Sequence, residues 1–194
     1  MYESNNNDLI IVDIQPEYTD AIYFNLIEFG EFVNNYNGNI TFLYNGADTL
    51  GMIEESDLKY WLNETCLITE ETLDNIEFYD KGYGFLRELI DNGYNEDDIV
   101  VLLNWMKQND IYTSQQEEFK KIYNDDVYYD IEDMIEYIIK YDAHINIPEV
   151  YYDVLVDKNN VNIVGGGEYE CLLEVIILLK LAKVKYTKID KFIY

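Results

Sequence analysis

With 194 residues, 48% of them apolar, the chain is long enough to bury about 70% of its unfolded surface as a single domain over 1–194. A formal net charge of −26 repels phosphate backbones and anionic lipid surfaces, which excludes direct nucleic-acid and membrane-surface binding from the expected functions. No apolar run approaches the roughly 20 residues of a membrane span, Met1 to Asp8 lacks the cations of a secretory leader, and Cys66 and Cys171 make no metal spacing, so a cytoplasmic protein with reduced thiols is expected.

"DLIIVDIQP" reads as a buried parallel strand over Leu9 to Asp13, because its apolar run is continuous and Pro16 closes it. Tyr18, Ile22, Leu26, Phe29 and Val33 then recur at helical steps, and "NNYNGN" ends that helix. "NITFLYNG" is a second strand, followed by a helix around Ser56 to Asn63 with Leu58, Trp61 and Leu62 inward. "NIEFYDKGYG" supplies a third strand ending near Asp80, and "FLRELIDNG" returns to helix with Gly93 as its stop.

"DDIVVLLNWM" fits a strand by its valines and a helix by its spacing. The helix is the better reading, since Ile99, Leu102, Leu103 and Met106 share a face and Asn95 with three acids stands at its start. "SQQE" at Ser114 to Glu117 is a capping box, and Val127, Ile131, Met134, Ile135 and Ile138 mark a further helix. Residues 83–142 therefore read as a helical block inserted in an alternating chain. After Pro148, "VYYDVLV" and "VNIVGGG" read as strands, a buried helix runs from Glu168 to Ala182, and "KVKYTKIDKFIY" forms one strand or two short ones. The alternation predicts an α/β, Rossmann-like, mostly parallel sheet flanked by helices.

In such sheets ligands bind beyond the carboxyl ends of the strands. Three reactive side chains fall at such ends: Asp13 after the first strand, Lys81 after the third and Cys171 after the glycine loop. Cys171 falls in the first turn of its helix, where unpaired N–H groups lower a thiol pKa and can hold an oxyanion. Asp13 is placed to accept the thiol proton, and Lys81 to stabilise the charge that develops.

These segments resemble the isochorismatase-like cysteine hydrolases, the superfamily of nicotinamidases and N-carbamoyl amidohydrolases. "IIVDIQPEY" resembles their opening strand, "DKGYGFL" their lysine segment and "VGGGEYECLLEV" their nucleophile motif. The resemblance implies a Cys171 nucleophile, an Asp13 base and a stabilising Lys81. It implies an oxyanion hole from backbone N–H groups at Gly167 and Cys171 with Gly166 alongside, a cis peptide before Gly167, and substrate contacts from Gln15 and Tyr83. The implied reaction cleaves a small amide or related C–N bond through a covalent intermediate, without metal or other cofactor. The chain departs from the family in carrying Glu168 where a Thr is usual, and in its long span between Lys81 and Cys171. Asp48 also lacks the histidine that accompanies the metal-binding Asp of nicotinamidases, and the sole His144 lies far along the chain.

A second reading stays open: an acidic, tyrosine-rich α/β binding protein that inhibits a basic partner, mimics nucleic acid or sequesters a metabolite. Homo-oligomerisation also stays open. Asp157, Asn159 and Glu168 fall at EF-hand offsets but lack the turn glycine, and "GGGEYE" has no lysine or hydroxyl at phosphate-loop spacing.

Overall fold

A computed structural model of the chain describes residues 7–46, 53–82, 84–111, 131–143 and 145–194. Its centre is a five-stranded, all-parallel sheet in the order β3-β2-β1-β4-β5. The strands are β1 (Asp8–Val12), β2 (Ile40–Tyr44), β3 (Ile76–Asp80), β4 (Asn160–Gly165) and β5 (Lys185–Lys188). β1 and β2 are buried on both faces, which explains why their sequences are continuous apolar runs.

Each face carries its own core. Leu9, Ile11, Phe42 and Val164 point to the face covered by α1 (Leu26–Asn34), α2 (Glu55–Cys66), α3 (Glu70–Asp74) and Phe192. Ile10, Val12, Leu43, Val161 and Ile163 point to the other, covered by α4 (Arg87–Asp91), α5 (Glu96–Gln108), α6 (Glu132–Tyr141) and α7 (Cys171–Ala182). The described part of the 83–142 block is thus helical, and its apolar faces join the core that α7 enters. α7 lies within this layer, buried along nearly all its length as its apolar composition requires. Tyr83, Asp48, His144, Val127 and the Ser114 capping box lie outside the described residues. Among the described residues no helix is long and apolar enough to cross a membrane.

Two segments depart from the sequence expectation. "VYYDVLV" is not a strand: Tyr151–Leu155 forms a π-helical turn. Its Tyr151, Val154 and Leu155 are buried together, a helical spacing that outweighs the β propensity of valine and tyrosine. The helix expected from Tyr18 onward is a 3-10 turn at Pro16–Tyr18, then a break, with α1 starting only after Asn25. The Asn25 side chain caps it by accepting from the N–H groups of Ile27 and Glu28 at 2.9 and 3.1 Å.

Candidate functional site

From β1 the chain builds outward to β2 and β3, then returns to β4 and β5 on the other side, so the strand order reverses between β1 and β4. The carboxyl ends there open the crevice in which such sheets bind ligands. Asp13 follows β1 directly and adopts a left-handed backbone, φ 50°. A non-glycine residue in that region costs on the order of 1–3 kcal/mol, a strain that concentrates at functional positions. Its N–H still bonds to the carbonyl of Leu43 at 2.9 Å, anchoring the turn to β2.

Lys81 follows β3, and its N–H reaches the Tyr44 carbonyl at 2.9 Å. Its ammonium stands 3.0 Å from Asp13 Oδ2, with both side chains buried. The same ammonium donates to Asn45 Oδ1 at 3.0 Å and to the Gly82 carbonyl at 3.4 Å. Cys171 opens α7 and is partly exposed, its thiol close enough to the Asp13 carboxyl to be a hydrogen-bond donor to it. Neither Lys81 nor Cys171 approaches Asp13 with the alignment of a well-formed hydrogen bond, so both carboxylate oxygens stay incompletely satisfied. Asp13, Lys81 and Cys171 thus meet at one rim of the sheet, the buried carboxylate and ammonium beside a cysteine that is partly exposed.

The electrostatics of this cluster reverse one sequence expectation. Burial, then the Asp13 charge, pushes the Cys171 thiol up from 9.0 to about 12, and Lys81 opposes the rise. At neutral pH Cys171 therefore rests as a neutral thiol, not a thiolate. Burial also raises Asp13, against the pull of Lys81. Lys81 is raised too: burial works against its charge, but Asp13 and its other anionic neighbours hold the proton on it.

The glycine loop crosses from β4 to α7 by a different route from the one expected. Among the described residues there is no cis peptide; Gly165 and Gly166 turn the chain instead, with φ +78° and +67°. A Cβ on Gly165 would lie 2.2 Å from the Val12 carbonyl, and one on Gly166 2.9 Å from the Leu172 nitrogen, so both positions need glycine. The Gly167 carbonyl accepts from Glu170 and Leu172 at 3.0 and 3.2 Å. Among the described residues, no acceptor engages the N–H groups of Gly167 or Cys171, which leaves both available to a ligand oxygen.

Gln15 is fully buried, clasping Asn45 by accepting from its N–H at 3.0 Å and donating to its carbonyl at 3.4 Å. Several residues of the cluster are not among the site residues expected from the sequence. Asn45 donates to the Tyr18 hydroxyl at 2.9 Å, and burial with the nearby Asp13 charge raises that phenol to about 12. The Tyr194 hydroxyl donates to the Asp13 carbonyl at 2.8 Å, and burial raises it as well. Glu174, one turn into α7 from Cys171, is buried, raised by that burial, and accepts from the Leu86 N–H at 3.0 Å. It thereby ties the start of α4 to α7. A buried glutamate in an apolar helical run was a signal available in "CLLEVIILL".

Arg87 pairs with Glu170 and Asp91, each at 3.0 Å, which steadies the residue before Cys171. Among the described residues no group of three or more His, Cys, Asp or Glu side chains is placed to hold a metal ion. No protein-family model matches the chain, and neither a curated protein nor a solved structure matches it.

Proposed function

We propose that the chain is a cysteine hydrolase that cleaves a small amide or related C–N bond through a covalent intermediate on Cys171, in the manner of the isochorismatase-like enzymes it resembles. The observation that carries this reading is the buried Asp13–Lys81 pair beneath a partly exposed cysteine, at the point where the strand order reverses. A small-molecule substrate suits the carboxyl edge of a parallel sheet where its strand order reverses, and two free thiols suit a reducing, cytoplasmic setting.

The neutral thiol dictates the order of events. As Cys171 Sγ bonds to the substrate carbonyl carbon, its proton passes to Asp13, whose incompletely satisfied oxygens face it. Lys81 opposes the burial that raises Asp13, which favours the ionised base, and attracts the sulfur charge during transfer. The carbonyl oxygen gains negative charge against the N–H groups of Gly167 and Cys171. Collapse of the adduct breaks the C–N bond, and the proton on Asp13 goes to the leaving nitrogen. Water then gives a proton to Asp13 and adds to the thioester; release of the acid returns that proton to the thiol. No metal is needed in this sequence, because nucleophile, base, cation and oxyanion donors all come from the chain.

The test is ammonia release from a panel of primary amides and N-carbamoyl compounds, with intact-mass detection of an acyl adduct. The expected result is an adduct on Cys171 and loss of turnover in Cys171→Ser. Turnover that survives Cys171→Ser, or an absence of any adduct across the panel, overturns the proposal.

A further inference from the structure

We infer that Asn45 is the positioning residue that holds the Lys81 ammonium on Asp13, an inference that rests on the hydrolase reading of the same site. Asn45 follows β2, between the strands that deliver Asp13 and Lys81, and it is fully buried. Both ends of its side chain are engaged: Oδ1 accepts from Lys81 Nζ at 3.0 Å, and Nδ2 donates to the Tyr18 hydroxyl at 2.9 Å.

The polarity of these bonds is forced. An ammonium can only donate, so the face of the amide toward Lys81 must be its oxygen, and the nitrogen must then turn to the Tyr18 oxygen. A flipped amide would set N–H against N–H in a buried place. Gln15 locks the Asn45 backbone from both directions, so the side chain starts from a fixed base.

Lys81 Nζ thereby faces the Asp13 carboxylate as an ion pair at 3.0 Å and donates to two acceptors, Asn45 Oδ1 at 3.0 Å and the Gly82 carbonyl at 3.4 Å, of which Asn45 is the nearer. Without the Asn45 oxygen one N–H of a buried ammonium is left unmatched. The side chain must then swing away or lose its proton. Either response leaves Asp13 without its counter-ion and Cys171 without the cation that favours its thiolate. Asn45 touches neither the thiol nor the substrate position in this scheme; it acts through Lys81.

The experiment is a double-mutant cycle on Asn45→Leu and Lys81→Met, reading the rate of Cys171 alkylation by iodoacetamide against pH, with peptide mapping to separate Cys66. Each single variant is expected to slow alkylation about tenfold near pH 8, and Asn45→Leu to add nothing in the Lys81→Met background. Asn45→Leu effects that are absent, or equal in both backgrounds, overturn the inference while leaving the hydrolase reading intact. Lys81→Met with wild-type alkylation would instead remove the hydrolase reading itself. Should Asn45→Leu fail to fold, Asn45→Ser enters the same cycle, and its coupling to Lys81 decides in the same way.

Discussion

Replacing Asp13 with Asn should make Cys171 more acidic while destroying turnover, and this opposition tests whether the carboxylate is a base or a mere neighbour. The thiol is raised from 9.0 to about 12, with burial first and the Asp13 charge second among the causes. At pH 7.5 such a thiol carries about a thousandfold less thiolate than one of ordinary acidity. Its higher basicity recovers about 16- to 32-fold in intrinsic nucleophilicity, so alkylation should run about 30- to 60-fold slower than for an ordinary exposed cysteine. A unit charge at about 4 Å contributes up to about 4 kcal/mol at an effective dielectric of 20, and each 1 kcal/mol moves a titration by about 0.7 pH unit. Even a quarter of that ceiling would move the midpoint of alkylation down visibly in Asp13→Asn, because Lys81 then faces the thiol without a competing anion. The assay is the iodoacetamide rate profile from pH 6 to 11, over which the wild-type rate should still be climbing at the upper end and the Asp13→Asn rate should lie above it, beside amide turnover, which should fall by about 10²- to 10⁴-fold without the Asp13 carboxylate. A wild-type midpoint below 9, or an Asp13→Asn profile that coincides with the wild type or moves upward, would refute the electrostatic account.

Three further outcomes are expected. Glu174 is raised above its unfolded value of 4.5, so the folded state binds the extra proton and wild-type stability declines as pH climbs from there through the raised value. Glu174→Gln keeps an acceptor for the Leu86 N–H without that decline, so thermal melts should coincide near pH 4 and favour the variant increasingly toward neutrality; a pH-independent difference would contradict this. A Cβ on Gly30 would lie 1.6 Å from the Cys66 carbonyl where α1 crosses α2, whereas Gly93, at φ +82°, has open space around it. Gly30→Ala should therefore fail to fold or lose most of its stability, while Gly93→Ala loses only about 1–2 kcal/mol in urea unfolding. Asn25→Ala should cost about 1 kcal/mol in the same assay, since it frees two N–H groups at the start of α1.

The centre of the sheet was legible because β1 and β2 are buried on both faces and therefore written as unbroken apolar runs, each stopped by a polar residue. Asp13, Lys81 and Cys171 were legible for a related reason: a reactive side chain just past a strand belongs to the carboxyl edge, whatever the order of the strands. Asn45 stands at such an end as well, but an amide carries no charge to draw attention to it. Its meaning depends on β1, β2 and β3 lying side by side, which pairing decides and local pattern does not. Glu174 and Tyr194 became part of the cluster only through the docking of α4 and of the segment after β5. The raised thiol was hidden too, because proximity to a helix start is readable in sequence while depth beneath neighbouring layers is not. At Tyr151–Leu155 the residue types pointed to a strand and their spacing to a helix, and spacing prevailed.

The seam between β1 and β4 joins segments at opposite ends of the chain, clasped by a Lys158–Asp8 ion pair at 2.9 Å. Contacts so distant in sequence close a very large loop, and chains dominated by such contacts fold slowly. Until that closure, Cys171 is an ordinary labile sulfhydryl, without the burial and the Asp13 carboxylate that subdue it. A pulse of alkylating reagent during refolding would therefore mark late, unclosed molecules selectively, and the reactive chemistry of this chain becomes a clock for its own assembly.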